Sequence, residues 1–377
     1  MGIAQSCIVT SLTVSSVYLL YVHIYSSHKL SKTRVLSSER LPSFLYLSIK
    51  YLLRALTRRT GRLYAATTQG CEAVHTVLNC RLEALALRRF CGAAGYGWDY
   101  PDTEGRDIPL CFPESLCGRL LLMVLTDDNF RLSPAGLVRV RQNLKTLQPV
   151  DELKKGPFML QVQVQGHRRM NAGVEVDICL SATSRTRCPV WESVLTLLSK
   201  NKDVRRLPTN RDEREQCCGQ SDEPVPENVK QVEMRVPRTA SLQDVWSLSP
   251  CRLLSLPAKL FGCGWPISQS LWMLSVCLAE IEKHRGVGDI TAPVNIMAQF
   301  EEPLLVPGRV MIRFWETTKT EGQSSAQCLS FHRQQHGSNT PHMMGWISRR
   351  PDGGEIRFAS CASDQRNAKP GRPTSAM

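Results

Sequence analysis

The sequence lacks the residue spacings that hold cysteines in metal sites or disulfide frameworks. It contains 15 cysteines in 377 residues but no C-x-x-C pair, and the set of Cys71, His75 and Cys80 does not match a zinc-binding pattern. A dinucleotide loop is also missing, because Gly95 and Gly97 do not follow a strand and have no third glycine. We therefore expect free thiols in a reducing compartment, no metal and no cofactor.

The sequence is also short of acidic residues and of any nucleic-acid motif. The 47 lysine and arginine residues outnumber the 34 acidic ones, which gives a formal net charge of +13. No stripe in which aromatic and basic residues alternate accompanies this charge, so we expect no nucleic acid as partner. An anionic membrane surface or the phosphates of coenzyme A suit the charge better. A hydrophobic fraction of 42% is enough for a packed core.

Charged residues are absent from a long stretch near the N-terminus, residues 7–25. Its length is about that needed to cross a bilayer, and no small-residue cleavage site follows it. Basic residues from Lys29 to Arg34 come next, so the positive-inside rule predicts an uncleaved anchor with the bulk of the chain in the cytosol. The first six residues also fit a myristoylation pattern at Gly2, and Cys7 is available for palmitoylation.

A basic amphipathic segment follows at residues 44–62. Its leucines alternate with Lys50 and Arg54 ahead of Arg58, Arg59 and Arg62. This pattern is typical of a helix that lies on a membrane surface, and it also fits a helix packed against the first globular region. We assign residues 1–60 to a membrane anchor with this amphipathic segment.

Apolar patterning predicts two globular regions of similar layout. The first, 100–199, has a buried segment at Leu120–Leu125 and period-two strands at 158–165, 173–182 and 189–198. A charged, proline-bearing linker is expected at 200–239. The second region, 240–348, has a helix at Ile267–His284 and strands near 294–300, 309–316, 326–333 and 343–348, with Val306-Pro307-Gly308 as a hairpin turn. A disordered tail is expected at 349–377.

Three segments in the second region resemble a MaoC-like hotdog domain, the fold of (R)-specific enoyl-thioester hydratases. PAKLFG (257–262), PISQSLWML (266–274) and FEEPLLVPGRVMIRFWE (300–316) keep the order and spacing of that family. In the first region, PLCFPESLCGRLLLMVLTDDNF and PAGLVRVRQNL are similar to the family's hotdog entry. The resemblance implies an α+β tandem (double) hotdog, in which each antiparallel sheet wraps a central helix.

The resemblance also locates the positions of the hydratase dyad. Family members carry an Asp and a His that activate water and protonate the α-carbon. Aligned on the PAKLFG segment, Ser247 stands where the Asp belongs and Arg252 where the His belongs. A serine hydroxyl is not a base without a partner, and arginine does not release its proton. Asp244 is the only nearby substitute, and no histidine occurs between His167 and His284.

Two further contacts are implied by the resemblance. The family holds the thioester oxygen on a backbone N–H at the start of the central helix, and Gln269 and Ser270 occupy that place here. An ordinary N-capped core helix is the alternative interpretation. Arg252 could clamp a phosphate or carboxylate, or be a solvated surface residue.

These observations lead to two hypotheses about function. The first is a membrane-associated, catalytically impaired protein that binds acyl-CoA or another acyl thioester. The second is an active enoyl-thioester hydratase or 3-hydroxyacyl dehydratase that uses a rearranged site around Asp244. A decaying reading frame is a third possibility. A homodimer is possible, because hotdog modules commonly pair their sheets edge to edge.

Overall fold

The computed structural model describes residues 2–65, 73–103, 106–201, 229–236, 266–301, 308–321, 324–335 and 341–349. The helices are α1 (Gly2–Ser31), α2 (Phe44–Thr57), α3 (Ala84–Ala93), α4 (Phe112–Leu116), α5 (Gly118–Leu125) and α6 (Pro266–Arg285). The first strands are β1 (Val35–Ser37), β2 (Val74–Cys80), β3 (Leu137–Thr146), β4 (Phe158–Met170), β5 (Gly173–Thr183) and β6 (Pro189–Lys200). The remaining strands are β7 (Lys230–Val236), β8 (Val294–Phe300), β9 (Gly308–Glu321), β10 (Ser324–Gln335) and β11 (Pro341–Arg349).

The described strands form one sheet in the order β1-β2-β4-β5-β6-β3-β8-β11-β10-β9-β7. All neighbours are antiparallel except β1 and β2. We call β1–β6 the first half and β7–β11 the second half; β3 and β8 join them with Arg141 opposite Gln299 and Thr146 opposite Val294. The order β2-β4-β5-β6-β3 in the first half is repeated as β7-β9-β10-β11-β8 in the second. The chain thus builds the same strand arrangement twice.

Alternating side chains give the sheet one buried face. In β8, residues 294, 296, 298 and 300 are buried while the residues between them are partly exposed. In β4, Phe158, Leu160, Val162 and Val164 are buried in the same period-two pattern. A strand with this pattern packs one face on the core and turns the other outward.

Helices cover this buried face. Every residue of α5 except Arg119 is buried, and the helix packs on β2 and β4. In the second half α6 packs on β3, and Trp272 of α6 donates to the carbonyl of Ala93 at 2.9 Å. Farther along α6, the buried Glu282 accepts from Tyr100 at 2.8 Å and from Arg106 at 2.7 Å. The segment from Ala93 to Arg106 is therefore hydrogen-bonded to α6 of the second half.

Most of the expected elements are confirmed, including the helix at Ile267–His284 and the strands of both regions. The hairpin expected at Val306-Pro307-Gly308 is wrong, because β8 is paired on its two edges with β3 and β11, and two strands, β11 and β10, lie between β8 and β9. Strands also lie outside the two expected regions: β2 precedes residue 100, and β7 falls within the expected linker. Both pair with strands of the sheet, β2 with β4 and β7 with β9.

The N-terminal helices differ from the expected anchor. Within the described residues, no helix is both long and apolar enough to cross a membrane, which goes against the spanning segment predicted at 7–25. The amphipathic segment forms α2, which packs on the first half through the fully buried Leu47. Tyr51 of α2 donates to the carbonyl of Pro134 at 2.8 Å. The amphipathic segment therefore packs against the first globular region, which was one of its two interpretations.

Candidate functional site

A cavity of about 370 Å³ lies in the first half, between the sheet and the helices. Its inner wall is apolar and buried, and it is made by Val77 of β2, Phe158 and Leu160 of β4, Phe112 of α4 and Leu120 of α5. These residues meet because β2 and β4 are neighbours in the sheet and α5 crosses both. A concave, mostly apolar cavity of this size is typical of a small-ligand site.

The rim of the cavity carries polar and charged side chains. Arg81 and Glu83 follow β2 and are exposed, and Arg119 at the first turn of α5 is half-buried. On the other side the rim is formed by Ser38, Leu41 and Phe44, from the segment that leads into α2. The cavity therefore combines an apolar interior with two guanidinium groups at its opening.

The cavity contains one thiol, that of Cys80. Burial raises the pKa of this thiol to about 11, against weaker lowering by backbone hydrogen bonds. A thiol with so high a pKa stays protonated near neutral pH, and the thiolate is the nucleophilic form. Cys80 therefore contributes packing to the wall and not nucleophilic chemistry.

A closed network of polar groups lies behind the cavity wall. The fully buried Arg139 donates to Glu114 at 2.5 Å and to Gln142 at 2.7 Å, and Gln142 donates to Glu114 at 2.7 Å and to Ser193 at 3.0 Å. Residues 139 and 142 would face opposite sides of a regular strand. A register shift between Arg139 and Arg141 turns both inward, as a β-bulge does. The bulge fixes α4, and with it Phe112, against the sheet.

An aspartate and a histidine also meet in the first half, at the far end of α5. His75 of β2 lies with Nε2 3.2 Å from a carboxylate oxygen of Asp127 and with Nδ1 3.2 Å from the carbonyl oxygen of Thr33. Burial alone would raise the pKa of Asp127, but the hydrogen bonds from His75 and from the amide of Asn129 bring it below its ordinary value. Both ring nitrogens of His75 are engaged and the side chain is buried. The pair therefore connects β2 to Thr33 and to Asp127, which follows α5.

The second half contains a buried arginine in a different setting. Arg333 of β10 is fully buried beneath α6, and its guanidinium lies 4.9 Å from the ring centre of Trp272. One nitrogen donates to the carbonyl of Met273 at 3.3 Å, while Nε and the other terminal nitrogen have no hydrogen-bond partner among the described residues. Burial lowers the pKa of Arg333 from its ordinary value, more strongly than the nearby Cys277 raises it.

The structure describes only some of the site residues predicted from the sequence. Ser247, Arg252 and Asp244 fall outside the described residues. Gln269 is part of α6, but its side chain is not described, and Ser270 is buried near the N-terminal end of that helix. The backbone of Gly2 and Cys7 belongs to α1, whose first side chains are likewise outside the description. The described residues contain no cluster of ligands that could hold a metal ion.

Sequence reasoning missed the cavity rim and the buried networks. Arg81 and Arg119 belong to different elements, and only the folding of α5 across β2 brings them to one opening. A signal for the Glu114–Arg139 pair was present, since a glutamate inside an apolar helical run needs a cationic partner when it is buried. Within the segment Leu120–Leu125, which the sequence predicted to be buried, Leu120 lines the cavity.

Comparisons with known proteins identify the fold. HtdX of Mycobacterium tuberculosis is 17% identical, with a TM-score of 0.50 over 73% of this chain and 99% of that one. A MaoC-like dehydratase from Phytophthora capsici is 14% identical, with a TM-score of 0.50 over 74% of this chain and 96% of that one. No protein-family model matches the sequence, and no curated protein matches it. Together with the sheet wrapped on buried helices, these likenesses show that the chain has the hotdog fold of the MaoC-like dehydratases.

Proposed function

We propose that the protein is a tandem-hotdog member of the MaoC-like group that binds acyl thioesters and has an impaired hydratase dyad. The observation that carries this proposal is the cavity of about 370 Å³ with an apolar interior and Arg81 and Arg119 at its opening. An acyl chain suits the interior, since burial of each methylene contributes about 0.8 kcal/mol. The guanidinium groups suit the phosphates of an acyl-CoA.

The tandem arrangement is supported by the repeated strand order of the two halves. Each half also places a helix on its buried face, α5 in the first and α6 in the second. On this interpretation the first half shapes the acyl pocket and the second half corresponds to the part that carries chemistry in the family. The joint between β3 and β8 lets the two modules satisfy each other's sheet edges within one chain.

The binding proposal is tested by titrating the full-length protein with dodecanoyl-CoA in a calorimeter. The partly buried Leu116 lines the cavity, and Leu116→Trp should fill it and weaken binding by about tenfold or more, about 1.4 kcal/mol. Leu63→Trp, at a partly buried leucine outside the cavity, is the matched control and should bind as the native protein does. Equal affinity of both variants would place the acyl chain elsewhere.

The rim is tested by reversing its charge. Arg81→Glu with Arg119→Glu should weaken binding and abolish its dependence on salt concentration, because the guanidinium groups attract the phosphates. Lys230→Glu with Arg235→Glu changes the net charge equally on β7, at the opposite edge of the sheet, and should leave affinity unchanged. Equal losses in the two double variants would assign the effect to overall charge.

The impaired dyad is proposed from the replacement of the family's Asp and His by Ser247 and Arg252. Loss of an acid–base group typically costs about 10²–10⁴-fold in rate. We expect the native protein not to hydrate trans-2-decenoyl-CoA, and Ser247→Asp with Arg252→His to gain activity. Native turnover that Asp244→Asn abolishes would instead support the alternative, an active hydratase or dehydratase with a rearranged site. An oxyanion contact at Gln269 or Ser270 belongs to that alternative.

We also propose that the protein is associated with a membrane while the bulk of the chain lies in the cytosol. The support is an N-terminal helix without Asp, Glu, Lys or Arg as far as His28, followed by basic residues from Lys29 onward. Lipidation of Gly2 and Cys7 is a further expectation, which mass spectrometry of the protein from its own cells would test. An unmodified N-terminal peptide would rule out lipid anchoring.

A further inference from the structure

Helix α2 turns its apolar side toward solvent. Ile49, Leu53 and Leu56 are 44%, 58% and 79% exposed, while Leu47 is fully buried. At about 100° per residue the three exposed side chains fall within an arc of about 60°, opposite Leu47. A continuous row of exposed leucine and isoleucine is unusual for a surface that faces water.

Two arginines at the C-terminal end of α2 face the body of the protein, on the same side as Leu47. Arg54 donates to the carbonyl of Asp127 and to the carboxylate of Asp128, and Arg58, which caps the helix, donates to the carbonyl of Phe130. A helix on a water-exposed surface normally has the opposite arrangement, with charges outward. The contacts of Arg54 fix the rotation of α2 and therefore hold its apolar row outward.

Helix α1 continues this exposed surface. The following large side chains between residues 14 and 25 are 44–66% exposed: Val14, Val17, Tyr18, Tyr21, Val22, Ile24 and Tyr25. The helix is held to α2 at its C-terminal end, where Ser27 and His28 bond to Ser43 and Tyr46. Tyrosine is enriched where a protein meets the headgroup level of a membrane, because its ring is apolar and its hydroxyl is polar.

The positive charge around α1 and α2 favours an anionic bilayer as the partner of this exposed apolar surface. Residues 2–65 contain nine lysines and arginines but a single acidic residue, Glu39. Lys29, Lys32, Arg40, Arg59 and Arg62 among them are exposed. Basic residues next to apolar ones are attracted to anionic headgroups by about 1 kcal/mol each.

The acyl cavity opens on this same part of the chain. Ser38, Leu41 and Phe44 on its rim belong to the segment that connects α1 to α2 and to the first residue of α2. We infer that the cavity is loaded from the membrane: long-chain acyl thioesters partitioned into an anionic bilayer pass Leu41 and Phe44 into the apolar interior. The inference deepens the proposed function and rests on it. It assigns long-chain substrates to the cavity, with the chain drawn from lipid and the carrier left at Arg81 and Arg119.

The experiment measures binding of the protein to vesicles separately from transfer of the acyl thioester into the cavity. Full-length protein is sedimented with phosphatidylcholine vesicles that contain or lack phosphatidylserine. The triple variant Ile49→Ser, Leu53→Ser, Leu56→Ser should lose about tenfold or more in partitioning, since three apolar side chains no longer enter lipid. The control variant Leu78→Ser, Leu85→Ser, Met170→Ser changes three exposed apolar residues outside α1 and α2 and should partition as the native protein does.

Loading is measured with two probes, octanoyl-CoA in solution and palmitoyl-CoA incorporated in the anionic vesicles. We expect the triple variant to bind octanoyl-CoA with native affinity but to take up palmitoyl-CoA from vesicles about tenfold more slowly, in proportion to its lost partitioning. Native octanoyl-CoA affinity also shows that the variant is folded.

Several outcomes would overturn the inference. Equal uptake of palmitoyl-CoA by the native protein and the triple variant would contradict loading from the membrane while leaving the proposed function intact. The same holds if the native protein ignores vesicles and its apolar row instead pairs two copies, seen as a dimer that the triple variant loses. If the native protein binds neither probe, the proposed function fails, and the inference fails with it.

Discussion

The two halves of the sheet share their strand order but bury their arginines differently. Arg139 in the first half is neutralised by Glu114 and held by Gln142, so that all but one of its nitrogens are paired. Within the described residues, the guanidinium of Arg333 in the second half donates to the carbonyl of Met273 and lies over the ring of Trp272. The first half therefore holds its buried arginine in a hydrogen-bonded network, while two nitrogens of Arg333 have no hydrogen-bond partner within the described residues.

The helices of the two halves also differ in continuity. In the first half the helix is interrupted at Cys117, between α4 and α5, and this break presents Glu114 to Arg139. In the second half α6 runs without a break for 20 residues. The two halves therefore hold their helices against the sheet through different buried contacts.

The largest effect is expected from Glu114→Ala. The substitution leaves Arg139 as a buried charge without a counter-ion, which should lower the free energy of unfolding by about 3–5 kcal/mol. Urea denaturation followed by circular dichroism measures this loss. Glu280→Ala removes a partly exposed ion pair with Lys283 in the second half and should cost about 0.5 kcal/mol or less. Similar costs at the two sites would remove the contrast between the halves.

Two strand glycines extend the comparison to backbone packing. A Cβ on Gly345 of β11 would lie 2.3 Å from the carbonyl oxygen of Met297 and 2.5 Å from the ring of Phe331, whereas Gly166 of β4 has open space. Gly345→Ala should therefore cost about 1–3 kcal/mol, and Gly166→Ala about 0.5 kcal/mol or less. Thermal unfolding of both variants measures the difference. A harmless Gly345→Ala would mean that β11 and β8 are not packed so closely.

The pair of His75 and Asp127 predicts a pH dependence confined to the first half. The folded pKa of Asp127 is below its ordinary value, so its stabilising contribution is present above about 3.9 and is lost as the pH falls toward the lower, folded value. Asp127→Asn should cost about 1–3 kcal/mol at pH 7 and flatten this part of the acid-induced loss of stability. Urea midpoints from pH 7 down to pH 3 measure it. An unchanged acid profile in the variant would refute the assignment.

The smallest effect is expected from Arg333→Met. The substitution removes a buried charge that has no described carboxylate partner, so no counter-ion is left behind and the free energy of unfolding should change by less than about 1 kcal/mol or rise. Arg139→Met is the matched control and should cost about 3–5 kcal/mol, because it strands Glu114. A loss of comparable size in Arg333→Met would show that the second half neutralises its arginine as the first half does.

The sequence predicted the parts of the fold that depend on neighbours along the chain. Period-two runs located the strands at 158–165 and 173–182, and the apolar stripe located α6 to within a residue or two at each end. The hairpin at 306–308 failed because turn residues specify a reversal but not the strand that pairs across it. The place of β7 was missed because a short edge strand of polar and apolar residues resembles a linker in composition.

The candidate site was predictable only in part. Leu120 belongs to a segment that was predicted to be buried, and it lines the cavity. Arg81, Arg119 and Phe44 come from separate elements and carry no joint pattern in the sequence. The bulge at Arg139 is equally invisible, because one extra residue in a strand changes which face every later side chain occupies. The outward rotation of α2 was left open by its pattern, since amphipathicity does not say which side meets the protein.

By itself the sequence determined the local elements and the excess of positive charge near the N-terminus, and it supplied the hypothesis that Ser247 and Arg252 stand at the positions of a hydratase dyad. These follow from residue types and short spacings, which act over one or two helical turns or strand pairs. The tertiary structure alone decided the joining of two halves through β3 and β8, the cavity with its charged rim and the solvent-facing apolar row of α2. Each of these depends on contacts between residues far apart in the chain, and such contacts form only when the whole sheet and its helices pack together.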